Sequence, residues 1–277
     1  MTFATVMACL DVDRSNANLL GVVGAVARRF GSRVIGVAAR QASGHFVQAR
    51  AGGLSEPLEH DTRKFRDLAG QAEAEFRAAL GDVARLEWRR IFTAGPVHEQ
   101  IADEARSADL VVSTIEGDGR FFFPSGQAAV GDLLMRLGRP VLAAPPEAST
   151  LEFKEAFVCW KDTREARRAV ADALPALKAS ERVTVIEIVK AADELDRARR
   201  GLADLSDWLA IHEVPATCMA EIGSGTEAQQ LAAIAKDLKA DVVVAGAFGH
   251  SRLREWAFGG VTSDLLLRAD CCVLASH

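Results

Sequence analysis

Short apolar runs alternate with longer segments of helical hydrophobic spacing, most clearly in the second half of the chain. The runs are rich in β-branched residues, and apolar positions recur every three or four residues in the segments between them. The predicted strands are 156–160, 183–189, 217–222, 241–245 and 272–276, and the predicted helices are 163–179, 192–211, 226–238 and about 261–268. Strands that are apolar on both faces and alternate with helices indicate a parallel sheet covered on both sides.

The same succession of runs occurs twice along the chain. Residues 6–11 align with 157–162 at an offset of 151, and residues 108–112 align with 240–244 at an offset of 132. The difference of 19 residues indicates an insertion in the first copy. The stretch 41–60 contains Gly, Ser and Gln and predicts a long loop there.

The repeat predicts an α/β protein of two tandem, doubly wound, mainly parallel five-stranded sheets. Domain 1–146 carries the insertion near 41–60, and its boundary with domain 147–277 falls inside a linker at 145–150 that begins with two prolines.

Composition excludes several classes of function. The formal net charge is −5 and the basic residues are scattered, so no footprint for nucleic acid or a membrane surface is expected. No apolar run approaches 18 residues and the N-terminus has no signal-peptide pattern, so we expect a cytoplasmic protein. Five cysteines without CxxC spacing argue against a zinc site or a disulfide framework.

The second half contains a glycine pattern suited to a phosphate. Gly246 and Gly249 follow the fourth predicted strand, and Gly259 comes nine residues after Gly249. Glycines let the backbone N–H groups approach an anion, the helix near Val261 adds a positive end, and Thr262 adds a hydroxyl. The pattern is neither a Walker loop nor GxGxxG. Asp162, which Lys161 immediately precedes, lies at the end of the first strand of this half, on the edge where such sheets bind ligands.

These residues resemble the universal stress protein family, whose nucleotide-binding members carry Gly-x-x-Gly, nine residues, Gly-Ser/Thr and an acidic residue ending the first strand. Gly260 stands where that motif has Ser or Thr, so one hydroxyl is missing. The resemblance implies ATP or a related adenine nucleotide, with Mg²⁺ as an accompanying ion. The implied binding residues are Asp162, Gly246, Gly249, His250, Gly259, Gly260, Val261 and Thr262.

The family resemblance also implies a regulatory stress-response protein rather than a strong catalyst, with at most slow ATP hydrolysis. Family members pair through their last strands, here 139–143 and 271–276, so we expect the halves to form an intramolecular pseudo-dimer, with a homodimer of chains as a further option.

Other interpretations of these residues stay open from the sequence alone. Asp162 with Glu165 fits a helix capping box, and Gly246 with Gly249 fits a tight turn. His250 without a matched Ser and Asp is typical of a surface residue. The glycine loop is then a relic on a scaffold that binds protein partners. An enzyme of the adenine-nucleotide α-hydrolase type is disfavoured, because the loop follows the fourth strand and no catalytic set accompanies it.

The first copy lacks most of the glycine pattern. At the offset of 132, Thr114, Gly117, Gln127, Ala128 and Val130 replace Gly246, Gly249, Gly259, Gly260 and Thr262. Glu116 and Asp118 add negative charge, so this copy is not expected to bind nucleotide. Asp11 and Asp13, at the end of its first strand, are expected to be helix caps.

Overall fold

The computed structural model describes residues 2–42, 55–115, 129–247 and 270–277, with the backbone alone at 55–58. The chain divides into two compact units. The first comprises residues 3–139 with 146–150, and the second comprises residues 1–2 and 140–145 with 151–277. The predicted domain boundary between residues 146 and 147 stays a prediction.

The first unit contains a parallel sheet with helices between its strands. Its elements are β1 (Thr5–Leu10), α1 (Ala17–Phe30), β2 (Arg33–Gln41), α2 (Ser55–Ala79), β3 (Leu86–Thr93), α3 (Val97–Glu104), a 3-10 turn (Ala105–Ser107), β4 (Leu110–Thr114) and α4 (Val130–Arg136). The strand order is β3-β2-β1-β4. The strand order and the helical crossovers are those of a doubly wound sheet.

The second unit repeats this arrangement and adds one antiparallel strand at its margin. Its elements are β5 (Val141–Ala144), β6 (Glu155–Trp160), α5 (Arg164–Ala179), β7 (Arg182–Val189), a 3-10 turn (Ala192–Glu194), α6 (Leu195–Ile211), β8 (Thr217–Ile222), α7 (Glu227–Leu238), β9 (Val242–Gly246) and β10 (Cys272–Ser276). The order is β5-β10-β9-β6-β7-β8, with β5 antiparallel to β10.

The α/β class and the five strands predicted in the second half are confirmed, with bounds that differ by at most one residue. All six apolar positions that predicted the first helix of this half are buried: Ala166, Ala169, Val170, Ala173, Leu174 and Leu177. The helix predicted near 261–268 lies outside the described residues. None of the described helices is long and apolar enough to cross a membrane.

The loop predicted over 41–60 is wrong at its end, because α2 begins at Ser55. Pro57 in the first helical turn does not interrupt a helix, since the N–H that proline lacks would have no intrahelical partner there. A proline in this stretch is therefore compatible with a helix start. Residues 43–54 of this stretch lie outside the described part of the chain.

The strand register corrects the alignment of the two halves by one residue. Asp109 N donates to the carbonyl oxygen of Thr5 at 2.8 Å, and Asp241 N donates to the carbonyl oxygen of Glu155 at 3.1 Å. Because Asp109 and Asp241 are equivalent in the repeat, Thr5 corresponds to Glu155, an offset of 150 rather than 151. The pairs Val6 with Leu110 and Ala156 with Val242 give the same offset.

Candidate functional site

The second unit reverses its strand order between β6 and β9, which are neighbours in the sheet. From β6 the chain continues to β7 on one side, and from β9 it continues to β10 on the other. The connections diverge there and leave a crevice at the carboxyl ends of the two strands, where open α/β sheets bind ligands. Trp160 ends β6 and Gly246 ends β9, so both lie at this edge.

Gly246 lies directly against the first turn of α5. A Cβ at this position would be 2.6 Å from Ala166 N and 2.7 Å from the carbonyl carbon of Glu165. Only glycine allows this approach, because backbone atoms cannot move aside as a side chain can. The chain that leaves β9 toward the glycine pattern therefore starts beside the positive end of a helix.

The N-cap of α5 is Thr163, and the capping role predicted for Asp162 is wrong by one residue. Thr163 Oγ1 accepts a hydrogen bond from Ala166 N at 3.3 Å, and its backbone is extended, with φ −124° and ψ 161°, as an N-cap requires. In the observed helix Glu165 lies two residues after the N-cap, one residue short of the position that a capping box requires, and its carboxylate accepts from Arg164 Nε at 2.5 Å.

Asp162 lies on the exposed side of this turn. Its Oδ1 accepts from Arg167 Nε at 3.0 Å, and half of its side chain is exposed. By the corrected register, Lys161 occupies the position that follows the strand, where the first unit has Asp11. Contact between Asp162 and a ligand stays a prediction.

Lys161 and two glutamates are further charged residues at this edge. Lys161 Nζ lies 3.4 Å from Glu227 Oε2, at the first residue of α7. Glu187 in β7 is level with Trp160 in β6. Burial raises the pKa of Glu187 and the charge of Asp162 raises it further, whereas Lys161 opposes the shift. Glu187 was missed in the sequence, although one acidic residue inside the run VTVIEIV was a visible signal.

Six of the eight predicted binding residues lie outside the described part of the chain: Gly249, His250, Gly259, Gly260, Val261 and Thr262. Of the predicted set, the structure describes Asp162 and Gly246. Their backbones are brought close together, because Gly246 packs against the helix turn that follows Asp162. Within the described ranges no group of three His, Cys, Asp or Glu side chains is placed to hold a metal ion.

The first unit has a buried apolar cluster next to the end of its first strand. Phe65 of α2 packs with Val12, Ala38 and Ala69 in a buried cluster. The rings of Phe65 and Phe92 stack, with centroids 5.3 Å apart. Val12 lies two residues after β1, so apolar side chains border the end of this strand.

The start of α1 is held by a carboxylate from α2, and the capping roles predicted for Asp11 and Asp13 are wrong. The N-cap position of α1 is Asn16, whose own N–H donates to Glu75 Oε1 and Oε2 at 3.0 Å each. Ser15 Oγ donates to Glu75 Oε1 at 2.6 Å. Asp11 Oδ1 instead accepts from Asp13 N at 2.8 Å, which closes a local turn.

The parallel sheets, the helical crossovers and the crevice at the strand reversal define a doubly wound α/β protein. Residues 152–277 match the family model described as Universal stress protein family. The second half of the chain is therefore similar to the universal stress proteins.

Two solved structures share the fold of the chain over nearly its whole length. A universal stress protein from Archaeoglobus fulgidus DSM 4304 superposes with a TM-score of 0.73 at 12% identity, covering 98% of this chain and 95% of the other. A functionally unknown protein from Pseudomonas aeruginosa PAO1 superposes with a TM-score of 0.63 at 15% identity, covering 99% and 92%. No curated protein sequence matches the chain.

Proposed function

We propose that the chain is a regulatory stress-response protein that binds one ATP, or a related adenine nucleotide, at the carboxyl edge of β6 and β9. The observation that carries this proposal is the contact of Gly246 with the first turn of α5. Because of this contact, the glycine pattern of the sequence begins at a strand reversal and beside a helix N-terminus. Backbone N–H groups and the helix dipole favour an anion at such a place.

The proposed binding set is the one that the family resemblance implies, with Mg²⁺ accompanying the phosphates. Asp162 and Gly246 belong to it from the described residues, and Gly249, His250, Gly259, Gly260, Val261 and Thr262 complete it from the sequence. We propose no general base, so turnover of ATP is slow or absent.

A second candidate is a scaffold that binds protein partners and keeps the glycine loop as a relic. The packing of Gly246 against Glu165 and Ala166 favours it, because this packing requires a glycine with or without a ligand. Gly260 in place of a hydroxyl residue favours it as well. Binding of nucleotide separates the two candidates.

Calorimetric titration with ATP·Mg tests the proposal. Gly259→Val is the informative variant, because Gly246→Val would displace α5 and confuse folding with binding. Gly117→Val, at the equivalent of Gly249 in the first copy, is the matched control. We expect micromolar binding of one nucleotide per chain, abolished by Gly259→Val and unchanged by the control. Absence of binding, together with no nucleotide released on denaturation, would contradict the nucleotide function and favour the scaffold that binds protein partners.

We further propose that the two halves pair as a pseudo-dimer through their last strands. Support comes from β5, which lies before the linker in sequence and pairs antiparallel with β10 inside the second unit. The mass in solution tests whether chains also pair with each other. Light scattering gives 29.7 kDa for a single chain and twice that value for a homodimer.

A further inference from the structure

Lys161 is the first residue after β6, at the strand reversal that the proposed nucleotide site uses. The corrected register makes it, and not Asp162, the equivalent of Asp11 in the first unit. One copy thus ends its first strand with an anion and the other with a cation. A cation at this edge changes which ligand groups the crevice attracts.

The ion pair of Lys161 is loose. Its Nζ lies 3.4 Å from Glu227 Oε2, beyond the 2.7–2.9 Å range that is usual for a charge-assisted hydrogen bond, and 45% of the side chain is exposed. Pairs of this kind contribute about 0–1 kcal/mol. Another anion can therefore replace Glu227 at little cost.

Two arginines near Lys161 are held more tightly. Arg167 donates to Asp162 Oδ1 from Nε at 3.0 Å and from its terminal nitrogen at 2.5 Å, and Arg164 Nε lies 2.5 Å from Glu165 Oε1. Both pairs are local to the first turn of α5 and keep their charges neutralised there. Of these three cations, Lys161 is the one that a ligand engages without breaking a short hydrogen bond.

We propose that Lys161 binds a phosphate group of the ligand and exchanges Glu227 for it. This inference rests on the proposed nucleotide function and assigns phosphate selectivity to a residue outside the glycine pattern. The ligand class is a nucleoside phosphate rather than a free nucleoside. Glu227 acts as the competitor that holds the ammonium group when no phosphate is present.

Titration of the full chain with ATP, adenosine and tripolyphosphate tests the exchange. We expect Lys161→Met to weaken ATP binding roughly tenfold and to leave adenosine binding unchanged, since only the phosphates meet the ammonium group. Lys161→Arg should retain most of the ATP affinity. Glu227→Gln should strengthen ATP binding, because it removes both a competitor and a negative charge.

Lys154→Met is the matched control, because it removes the same charge from the opposite end of β6. Lys154 Nζ pairs with Glu152, and its side chain is 60% exposed. An equal loss of ATP affinity in both Met variants, or an equal loss for ATP and adenosine in Lys161→Met, overturns the assignment. Thermal unfolding of each variant checks that the fold is intact.

The outcomes distinguish this inference from the proposed function. If ATP and adenosine fail to bind while tripolyphosphate binds in a Lys161-dependent way, the nucleotide function fails and the phosphate role of Lys161 stands. If ATP binds but Lys161→Met leaves its affinity unchanged, the nucleotide function stands and the role of Lys161 fails. If none of the three probes binds, both are overturned.

Discussion

Gly246 is the residue at which packing and ligand binding give the same sequence requirement. It packs directly on the backbone of α5, so the glycine is required even before any phosphate is considered. The glycine pattern alone could not separate these reasons, since the packing joins residues 80 positions apart in sequence. A substitution separates them by its effect on stability.

Gly246→Ala should lower the free energy of unfolding of the second unit by about 1–3 kcal/mol, because its Cβ would overlap backbone atoms of α5. Gly201→Ala in α6 is the control, since a Cβ there has no neighbour within 4 Å. The control should gain about 0.5–1 kcal/mol from the higher helix propensity of alanine. The midpoints of urea unfolding curves measure the change in stability of both variants. Equal midpoints for the two variants would contradict the packing explanation.

Glu187 provides a pH-dependent prediction at the same scale. Burial, with help from Asp162, raises the pKa of its carboxyl group in the folded protein. The shift therefore favours the fold below the pKa of the unfolded chain, and this contribution is lost as pH rises through the higher folded-state pKa. Glu187→Gln should be more thermally stable than the native protein at pH 7.

The stability gain of Glu187→Gln should disappear as pH falls below the ordinary glutamate pKa of about 4.3. Melting temperatures from about pH 3.5 to about pH 7 bracket that value and measure the gain. A gain of the same size at every pH would show that neutralising the carboxyl group is not its source.

At the scale of elements, α2 provides both the cover of the first unit and the cap of α1. The start of α2 at Ser55 was not predicted, because Gly, Ser and Gln in the stretch 41–60 suggested a loop. Its partner could not be predicted either. Asn16 and Glu75 are 59 residues apart, and nothing in local spacing connects them.

Glu75→Gln should destabilise the first unit by about 1–2 kcal/mol, because hydrogen bonds to a charged group are lost or weakened at the start of α1. Glu73→Gln is the control on the same helix. Glu73 pairs with Arg77 on the surface at an i,i+4 spacing, so its loss should cost less than about 0.5 kcal/mol. Chemical denaturation at pH 7 compares the two variants.

The acid dependence of Glu75 gives a second measurement on this contact. Burial opposes ionisation, but hydrogen bonds from Ser15, Asn16 and Ala17 outweigh it and lower the pKa of Glu75. The contribution is therefore present above the unfolded pKa and lost as pH falls through the folded value. The difference between the native protein and Glu75→Gln should shrink in acid. A difference that grows in acid would contradict a stabilising carboxylate.

At the scale of the whole molecule, the free cysteines report how far the fold protects its interior. Burial raises the pKa of Cys9 and Cys272 to about 12, and burial also raises the pKa of Cys159 and Cys271. The thiolate is the reactive form, so these thiols react slowly while the fold is intact. Cys218 is half-buried in β8 at the edge of its sheet.

Alkylation with iodoacetamide at pH 8 should therefore modify Cys218 first in the native protein and all five cysteines after unfolding in urea. Peptide mass spectrometry identifies the modified positions over time. Modification of Cys272 as fast as Cys218 would contradict the burial of Cys272 in β10. Added ATP that slows the opening of the second unit would protect Cys272 further.

For the second half, the sequence by itself determined the order of the described helices and strands, the strand bounds to within one residue and the buried face of α5. Hydrophobic spacing is a local property, and a buried strand or an amphipathic helix needs nothing more to be recognised. The glycine pattern also belongs to this local information. It marked Gly246 as special without giving the reason.

Only the tertiary structure decided which side chains meet at the strand ends. The approach of Gly246 to Ala166, the hold of Glu75 on α1 and the place of Lys161 after β6 depend on contacts and register between distant segments. A one-residue difference in register exchanges Asp162 for Lys161 at the strand end, and with it the sign of the charge. Local patterns cannot fix that register, because hydrogen bonds between strands are made after the chain has folded back on itself.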